Sequence, residues 1–305
     1  MERIVIALGG NALIRFGGAR DFDAQNNNVS KAVGKLSKLL NDKRKQIIIT
    51  HGNGPQVGDE LLRNIYSRKE IAMLPLPMLV AETQATIGAM IEAAVIQATR
   101  DSGRNVVTVI THVKVDKNDR AFAKPTKPIG PFYSKKELDD ELRREKFAYV
   151  KVKGKYRRVV ASPQPISIME KDSIERELNA GSIVIACGGG GIPVISESKG
   201  FRRVDAVIDK DLAAQVIAND VNADALVILT DVKNVYYDIE MRRAIHKIRY
   251  TELSHLLDTF EEGTMQPKVF AALQFIKKGG KEAHIGSLDH ALQVTKGRSG
   301  TTVFI

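Results

Sequence analysis

Ile4-Val5-Ile6-Ala7-Leu8-Gly9-Gly10-Asn11 is an unbroken apolar run that passes directly into two glycines and an asparagine. A run without alternation reads as a strand buried on both faces, of the kind a parallel sheet places between two layers of helices. Glycine at its carboxyl end lets backbone N–H groups come close to an oxyanion, and the N-terminus of a following helix adds positive potential at the same point. The pattern recurs. Ile47-Ile48-Ile49-Thr50 runs into His51-Gly52-Asn53-Gly54-Pro55, and Ile183-Val184-Ile185-Ala186-Cys187 runs into Gly188-Gly189-Gly190-Gly191. One such junction is an ordinary tight turn, whereas three in one chain point to loops that converge on a small anion.

Similar apolar runs at 105–110 and 225–230 complete a series separated by segments long enough for helices. That rhythm predicts an α/β fold with a mostly parallel sheet and helices on both sides. Val29, Val33, Leu36, Leu39 and Leu40 fall at helical spacing between the first two strands. Asp172 is the expected N-cap of a helix through Ile174 and Leu178 that stops at Gly181. Another helix is expected from Thr264, with Pro267 in its first turn, Val269, Ala272, Leu273 and Ile276 inward, and Gly279-Gly280 at its end. Thr302-Val303-Phe304-Ile305 reads as a last strand. The rhythm breaks from about 118 to 162, where Pro125, Pro128 and Pro131 cluster, a charged helical stretch follows near 135–146, and Tyr149 to Val160 alternate as a hairpin turning at Gly154. The expectation is one domain carrying a small inserted, protruding subdomain.

The 305 residues hold 46 Lys and Arg against 36 Asp and Glu, a net charge of +10 that suits an enzyme of phosphates and a nucleic-acid binder alike. Against nucleic acid, the basic residues are scattered, aromatic residues make up only 6%, and no DNA- or RNA-binding motif is visible. The one cysteine, Cys187, excludes an intramolecular disulfide and a cysteine zinc site, and fits a reducing compartment. It reads as a small buried apolar residue. No run reaches the roughly 18 apolar residues that a membrane span needs, and no leader pattern precedes the first strand. A cytoplasmic protein is expected.

Lys268 sits in the first turn of its expected helix, where a cation opposes the macrodipole unless an anion lies beside it; the alternative is a solvated surface lysine. Ile208-Asp209-Lys210-Asp211 places a lysine between two carboxylates at another helix start. An Asp there either caps the helix or holds ammonium groups around a phosphoryl group. Lys127 lies in Pro125-Thr126-Lys127-Pro128-Ile129-Gly130-Pro131, whose prolines reduce the entropy lost in presenting it to a ligand. Phosphoryl transfer asks the protein chiefly for positioning and for cations around the moving charge, which such lysines satisfy. Neither GxxxxGK[ST] nor the HRD and DFG elements of protein kinases occur. The histidines show no metal-ligand spacing, and His51 reads equally as a substrate contact and as a backbone-bonded loop residue.

Ala7 to Ala12, Thr50 to Gly58, Pro125 to Phe132, Cys187 to Pro193, Ala206 to Asp211, Leu229 to Val232 and Met265 to Lys268 follow, in order, the motifs of the amino acid kinase family. The segments 125–132 and 51–58 resemble its carbamate kinase branch. The resemblance implies a three-layer αβα sandwich around a mainly parallel sheet of about eight strands, with a protruding lid and a homodimeric assembly. It implies reversible phosphoryl transfer between ATP and carbamate, giving ADP and carbamoyl phosphate, with Mg2+ accompanying the nucleotide and a place in arginine metabolism. Carried over by motif, Lys127, Lys210, Asp211 and Lys268 are the catalytic set, Lys127 closing from the subdomain and Asp211 fixing the other lysines. Gly9, Gly10, Asn11, Gly52, Asn53, Gly189 and Gly190 surround carbamate and the transferred group. Thr230, Asp231, Val235, Tyr236 and Met265, together with Lys268, border the nucleotide. The chain departs from the pattern at Ala85, where the family often has glycine, at His112, where glutamine is usual, and at Gly154-Lys155-Tyr156-Arg157, where Gly-Trp-Arg is common. The other readings are a family enzyme acting on a larger acid and an inactive nucleotide-binding regulator.

Overall fold

Alternate residues of the strand Glu2–Leu8 serve different cores: Ile4, Ile6 and Leu8 join one and Val5 and Ala7 the other, all of them buried. A strand's side chains alternate between faces, so covering both faces with helices requires an apolar residue at every position. Ile47 and Ile49 against Ile48, and Ile183 and Ile185 against Val184, repeat the division. The computed structural model describes residues 1–10, 21–142, 147–238 and 243–305. On one face lie the helices Phe22–Leu40 and Leu76–Ala98, and on the other Lys171–Asn179, Lys210–Asp220 and Gln266–Lys277. The fold is the expected three-layer αβα sandwich.

Its eight-stranded sheet runs in the order Lys247–Arg249, Thr301–Phe304, Glu282–Ser287, Ala225–Thr230, Glu2–Leu8, Lys45–His51, Ile183–Ile185, Val106–Thr108. Neighbours are parallel except that Thr301–Phe304 runs antiparallel to Glu282–Ser287. Ile4 stands opposite both Ala225 and Ile47. The carboxyl ends of the central strands therefore share one edge, and the glycine loops begin there.

Local signals explain most helix ends. Asp21 caps Phe22–Leu40 by accepting the Ala24 N–H at 2.9 Å. The helix expected to start at Asp172 instead has Glu170 at its N-cap, with Asp172 in the first turn. The cause is tertiary: Met169 N–H donates to the His112 carbonyl and the Glu170 carboxylate accepts the His112 N–H, so the chain turns early. Gly181 ends that helix at φ +88°, a conformation that favours glycine. Leu76–Ala98 corrects another expectation, since its 23 residues are long and apolar enough to cross a membrane by length and composition. Half of its most apolar window is buried inside the protein, with Leu79, Ile87 and Ile91 in the core.

A four-stranded sheet, Gly200–Arg203, Ile192–Glu197, His112–Val115 and Pro165–Ile168, escaped the sequence reading. Pro165, Pro193 and Lys114 interrupt its apolar pattern, and only the burial of Val113, Val115, Ile192 and Val194 makes these segments strands. The expected hairpin is present as Ala148–Val152 and Lys155–Val160, turning at Gly154 with φ +82°. Lys127–Tyr133 adds a third strand, and the helix Lys135–Leu142 follows it. The last residues of the charged stretch near 135–146 lie outside the described residues.

Candidate active site

At the sheet's carboxyl edge, Gly9 donates its N–H to the Leu229 carbonyl at 2.8 Å, and a Cβ at Gly9 would meet that same oxygen at 2.8 Å. Only glycine allows the first loop to lie so close to the neighbouring strand. Gly52 donates to the Leu8 carbonyl, and a Cβ there would sit 3.2 Å from Lys210 Cδ and 3.7 Å from the Gly10 nitrogen. Gly10, Gly52 and Lys210 are thereby brought together. A side chain added at Gly10 would meet no atom within 4 Å among the described residues. Asn11 lies outside the described residues.

Asn53 stands at the N-cap of the helix Gly54–Ser67 without capping it. Its Nδ2 donates instead to Thr83 Oγ1 at 2.9 Å. The helix's leading N–H groups keep no side-chain acceptor from the cap, which leaves positive potential at this end. Behind Asn53 the tetraglycine segment is fully buried. A Cβ at Gly189, whose φ is +62°, would lie 2.1 Å from Asn53 Nδ2, and one at Gly190 would lie 2.3 Å from the Ile208 carbonyl oxygen. Gly189 and Gly190 thus pack directly beneath Asn53 and the start of the Asp209-Lys210-Asp211 segment.

The charges gather around two carboxylates. Lys210 Nζ donates to Asp211 Oδ1 at 2.5 Å, and Lys268 Nζ donates to Asp211 Oδ2 at 3.2 Å and to the Thr264 carbonyl at 3.0 Å. Asp211 is 2% exposed. Burial alone would raise the pKa of its carboxyl, but the two ammonium groups outweigh burial and hold it below the usual carboxylate range. Lys268 is likewise desolvated, and Asp211 and Asp209 more than compensate, raising its pKa. Asp209 has two tasks. Its Oδ1 caps the helix Lys210–Asp220 by accepting the Asp211 N–H at 3.0 Å, while Oδ2 accepts from Lys127 Nζ at 2.9 Å. The sequence offered capping and lysine-holding as alternatives, and Asp209 combines them.

His51 is buried, and its Nδ1 lies 3.0 Å from the Gly52 carbonyl, so Nδ1 carries the proton that donates there. Burial, aided by the Lys210 ammonium and opposed by the Gly52 contact, lowers its pKa to about 4. The ring is neutral at pH 7 and backbone-bonded. Because an unfolded histidine binds its proton near pH 6.5 and this one only near 4, His51 makes stability fall as pH drops through that interval.

On the expected nucleotide side, Thr230 Oγ1 donates to Asp231 Oδ1 at 2.9 Å. Val235 is withdrawn into the core, its N–H taken by Thr301 Oγ1. Tyr236 and Met265 are half-buried. A separate cavity of about 860 Å³, lined by residues including Glu2, Lys45, Asp224 and Lys281, opens at the amino ends of the same strands, opposite the lysines.

Residues 2–287 match the family model for the amino acid kinase family. A carbamate kinase of Thermoplasma acidophilum is 42% identical over 311 residues, and one of Pyrococcus horikoshii 43% over 312, each alignment covering 99% of both chains. The solved structure of Giardia lamblia carbamate kinase bound to AMP-PNP superposes with a TM-score of 0.93 at 36% identity, covering 99% of this chain and 98% of that one. With a shared fold, full-length relatives above 40% identity and a family model spanning nearly all of its length, the chain belongs to the amino acid kinase family, among its carbamate kinases.

Proposed function

We propose that this kinase transfers a phosphoryl group reversibly between ATP and carbamate, giving ADP and carbamoyl phosphate. The observation that carries this reading is the Asp211 carboxylate holding the Lys210 and Lys268 ammonium groups beside the loops of Gly9-Gly10 and Gly52-Asn53. Carbamate and the transferred group bind between those loops, a role the family motif also gives Asn11, with Gly189 and Gly190 supporting Asn53 from behind. Lys210 and Lys268 neutralise charge that moves from the γ-phosphoryl oxygens towards the leaving group, while Asp211 holds both lysines in place and favours the charged form of Lys268. Thr230, Asp231, Tyr236 and Met265 border the nucleotide, and Val235 acts only through its backbone.

Among the described residues no three His, Cys, Asp or Glu side chains converge to hold a metal. Mg2+ accompanies the nucleotide substrate, liganded chiefly by phosphate oxygens and water, and neutralises their charge. The segment 118–162 acts as a lid that brings Lys127 to the transferred group and excludes water from it. Two subunits assemble through the sheet edge at Val106–Thr108 and the adjoining apolar helix Leu76–Ala98, which leaves Ile96 52% exposed. The enzyme works in the cytoplasm, as its single reduced cysteine suits.

Initial-rate assays of ADP formation with carbamate, N-acetylglutamate, aspartate and UMP as acceptors test the reading. Activity with carbamate alone is expected. Turnover of a larger acid in preference to carbamate assigns another branch of the family, and ADP binding without any transfer assigns a regulator.

A further inference from the structure

A buried polar chain lies behind the glycine turn, out of reach of the transfer chemistry. Thr111, fully buried just before the strand His112–Val115, has its backbone clamped by one side chain: Gln84 Oε1 accepts the Thr111 N–H at 2.9 Å, and Gln84 Nε2 donates to the Thr111 carbonyl at 3.2 Å. That carbonyl also accepts the Ile192 N–H at 2.9 Å. With its backbone fixed, Thr111 donates its hydroxyl to the Val109 carbonyl at 2.8 Å and accepts the Cys187 N–H at 3.0 Å. Cys187 depends on that bond. It is fully buried with φ +56°, a left-handed conformation that L side chains adopt only when their surroundings enforce it.

Directly after Cys187, a Cβ at Gly188 would strike the His51 ring at 2.3 Å and approach Gln84 Cγ at 3.2 Å, and Gly189 lies under Asn53. Asn53 is bonded to Thr83, the residue before Gln84 on the helix Leu76–Ala98. One helix thus holds both sides of the turn, Thr83 through Asn53 and Gln84 through Thr111.

We propose that Thr111 is a positioning residue for phosphoryl transfer: its hydroxyl, oriented by Gln84, fixes the left-handed turn at Cys187 and so sets where the glycine turn supports Asn53. This assignment, which rests on the phosphotransfer reading above, has Thr111 act through Cys187 and Asn53 without touching substrate. A bond that served stability alone would, when removed, lower the melting temperature and leave the folded enzyme's turnover unchanged.

The test compares full-length T111V and T111S. Valine keeps the shape of threonine but deprives the Cys187 N–H of its acceptor, whereas serine retains the hydroxyl. T111V is expected to lower kcat about tenfold or more, because small misplacements in a preorganised site are costly, while KM for ADP stays within about twofold. T111S recovers most of the rate. Gln84→Met removes the clamp at similar length, gives the same kcat loss, and stands in should T111V fail to fold. Wild-type kcat in T111V or Gln84→Met, a defect confined to KM for ADP, or T111S no faster than T111V would overturn the assignment. Wild-type transfer to carbamate, measured alongside, tests the underlying reading separately, since the proposal concerns only the ratio of variant to wild-type rates.

Discussion

Lys210 and Lys268, on the helices of the main sandwich, have side chains 14% and 17% exposed and share a carboxylate that is 2% exposed. Lys127, on the three-stranded sheet, is 33% exposed and pairs with Asp209, itself 16% exposed. Around Asp211, burial weakens the competition from water and makes each contact costly to lose, so those lysines are fixed before substrate arrives. At Asp209 the more exposed pair is better screened, and the ammonium can exchange a carboxylate oxygen for a phosphoryl oxygen at little cost. The two regions present the same chemical group, and the proposed mechanism uses one as preorganised and the other as movable.

Asp211→Asn strikes the fixed region and should have the largest effect. Turnover is expected to fall about a hundredfold or more, as when a preorganised charge device is removed. Stability should fall by about 3–5 kcal/mol, because two partly buried ammonium groups lose their counter-charge. Asp211's pKa is lowered in the folded protein, so the stability its ion pairs contribute is complete above the ordinary carboxylate pKa of about 4 and is lost only as pH falls through the lowered value. A pH–rate profile that lost one limb while its plateau held would make Asp211 a general base and end the contrast.

Lys127→Ala strikes the movable region. A loss of turnover of about ten- to a hundredfold is expected, with ADP affinity within about twofold, because in the proposed mechanism the lysine meets the transferred group and not the base. Calorimetric ADP titration beside initial rates checks this. A defect lying mainly in ADP affinity would remove Lys127 from the lid role.

Asp209→Asn sharpens the comparison most finely and should have the smallest effect. Asparagine caps a helix as well as aspartate does, so the melting temperature should hold. The ion pair to Lys127 is lost together with a secondary attraction on Lys268, whose main counter-charge, Asp211, stays in place, so KM for carbamoyl phosphate should rise about two- to fivefold with kcat little changed, in keeping with a partly exposed pair. A fall in kcat as deep as that of Lys127→Ala would place Asp209 in the fixed cradle.

How much of this was legible in the sequence follows from how local each cause is. The strand-to-glycine junctions could be read because burial on both faces writes itself into consecutive residues, as Ile4 to Leu8 show. Lys268 could be singled out because its conflict with the helix dipole is contained within one turn. The partner of Lys127 could not be read, because Asp209 lies in a distant helix cap and already has a local task there. The bonds of Thr83 to Asn53, of Gln84 to the Thr111 backbone and of Thr111 to Cys187 could not be read, since they exist only once helix, loop and strand have packed. Motif carry-over places Val235 at the nucleotide border, but it cannot tell which way a side chain faces, and that of Val235 faces the core.

Glu2–Leu8 lies between Lys45–His51 and Ala225–Thr230, and Gly9 is tied to Leu229. During synthesis the first strand gains one neighbour early and must wait until residues 225–230 leave the ribosome for the other. Over that interval an apolar strand presents an unpaired backbone edge, the kind of edge that templates wrong pairing. The loop of Gly9, tied to Leu229 across that late junction, is among the last parts of the nascent chain to take shape.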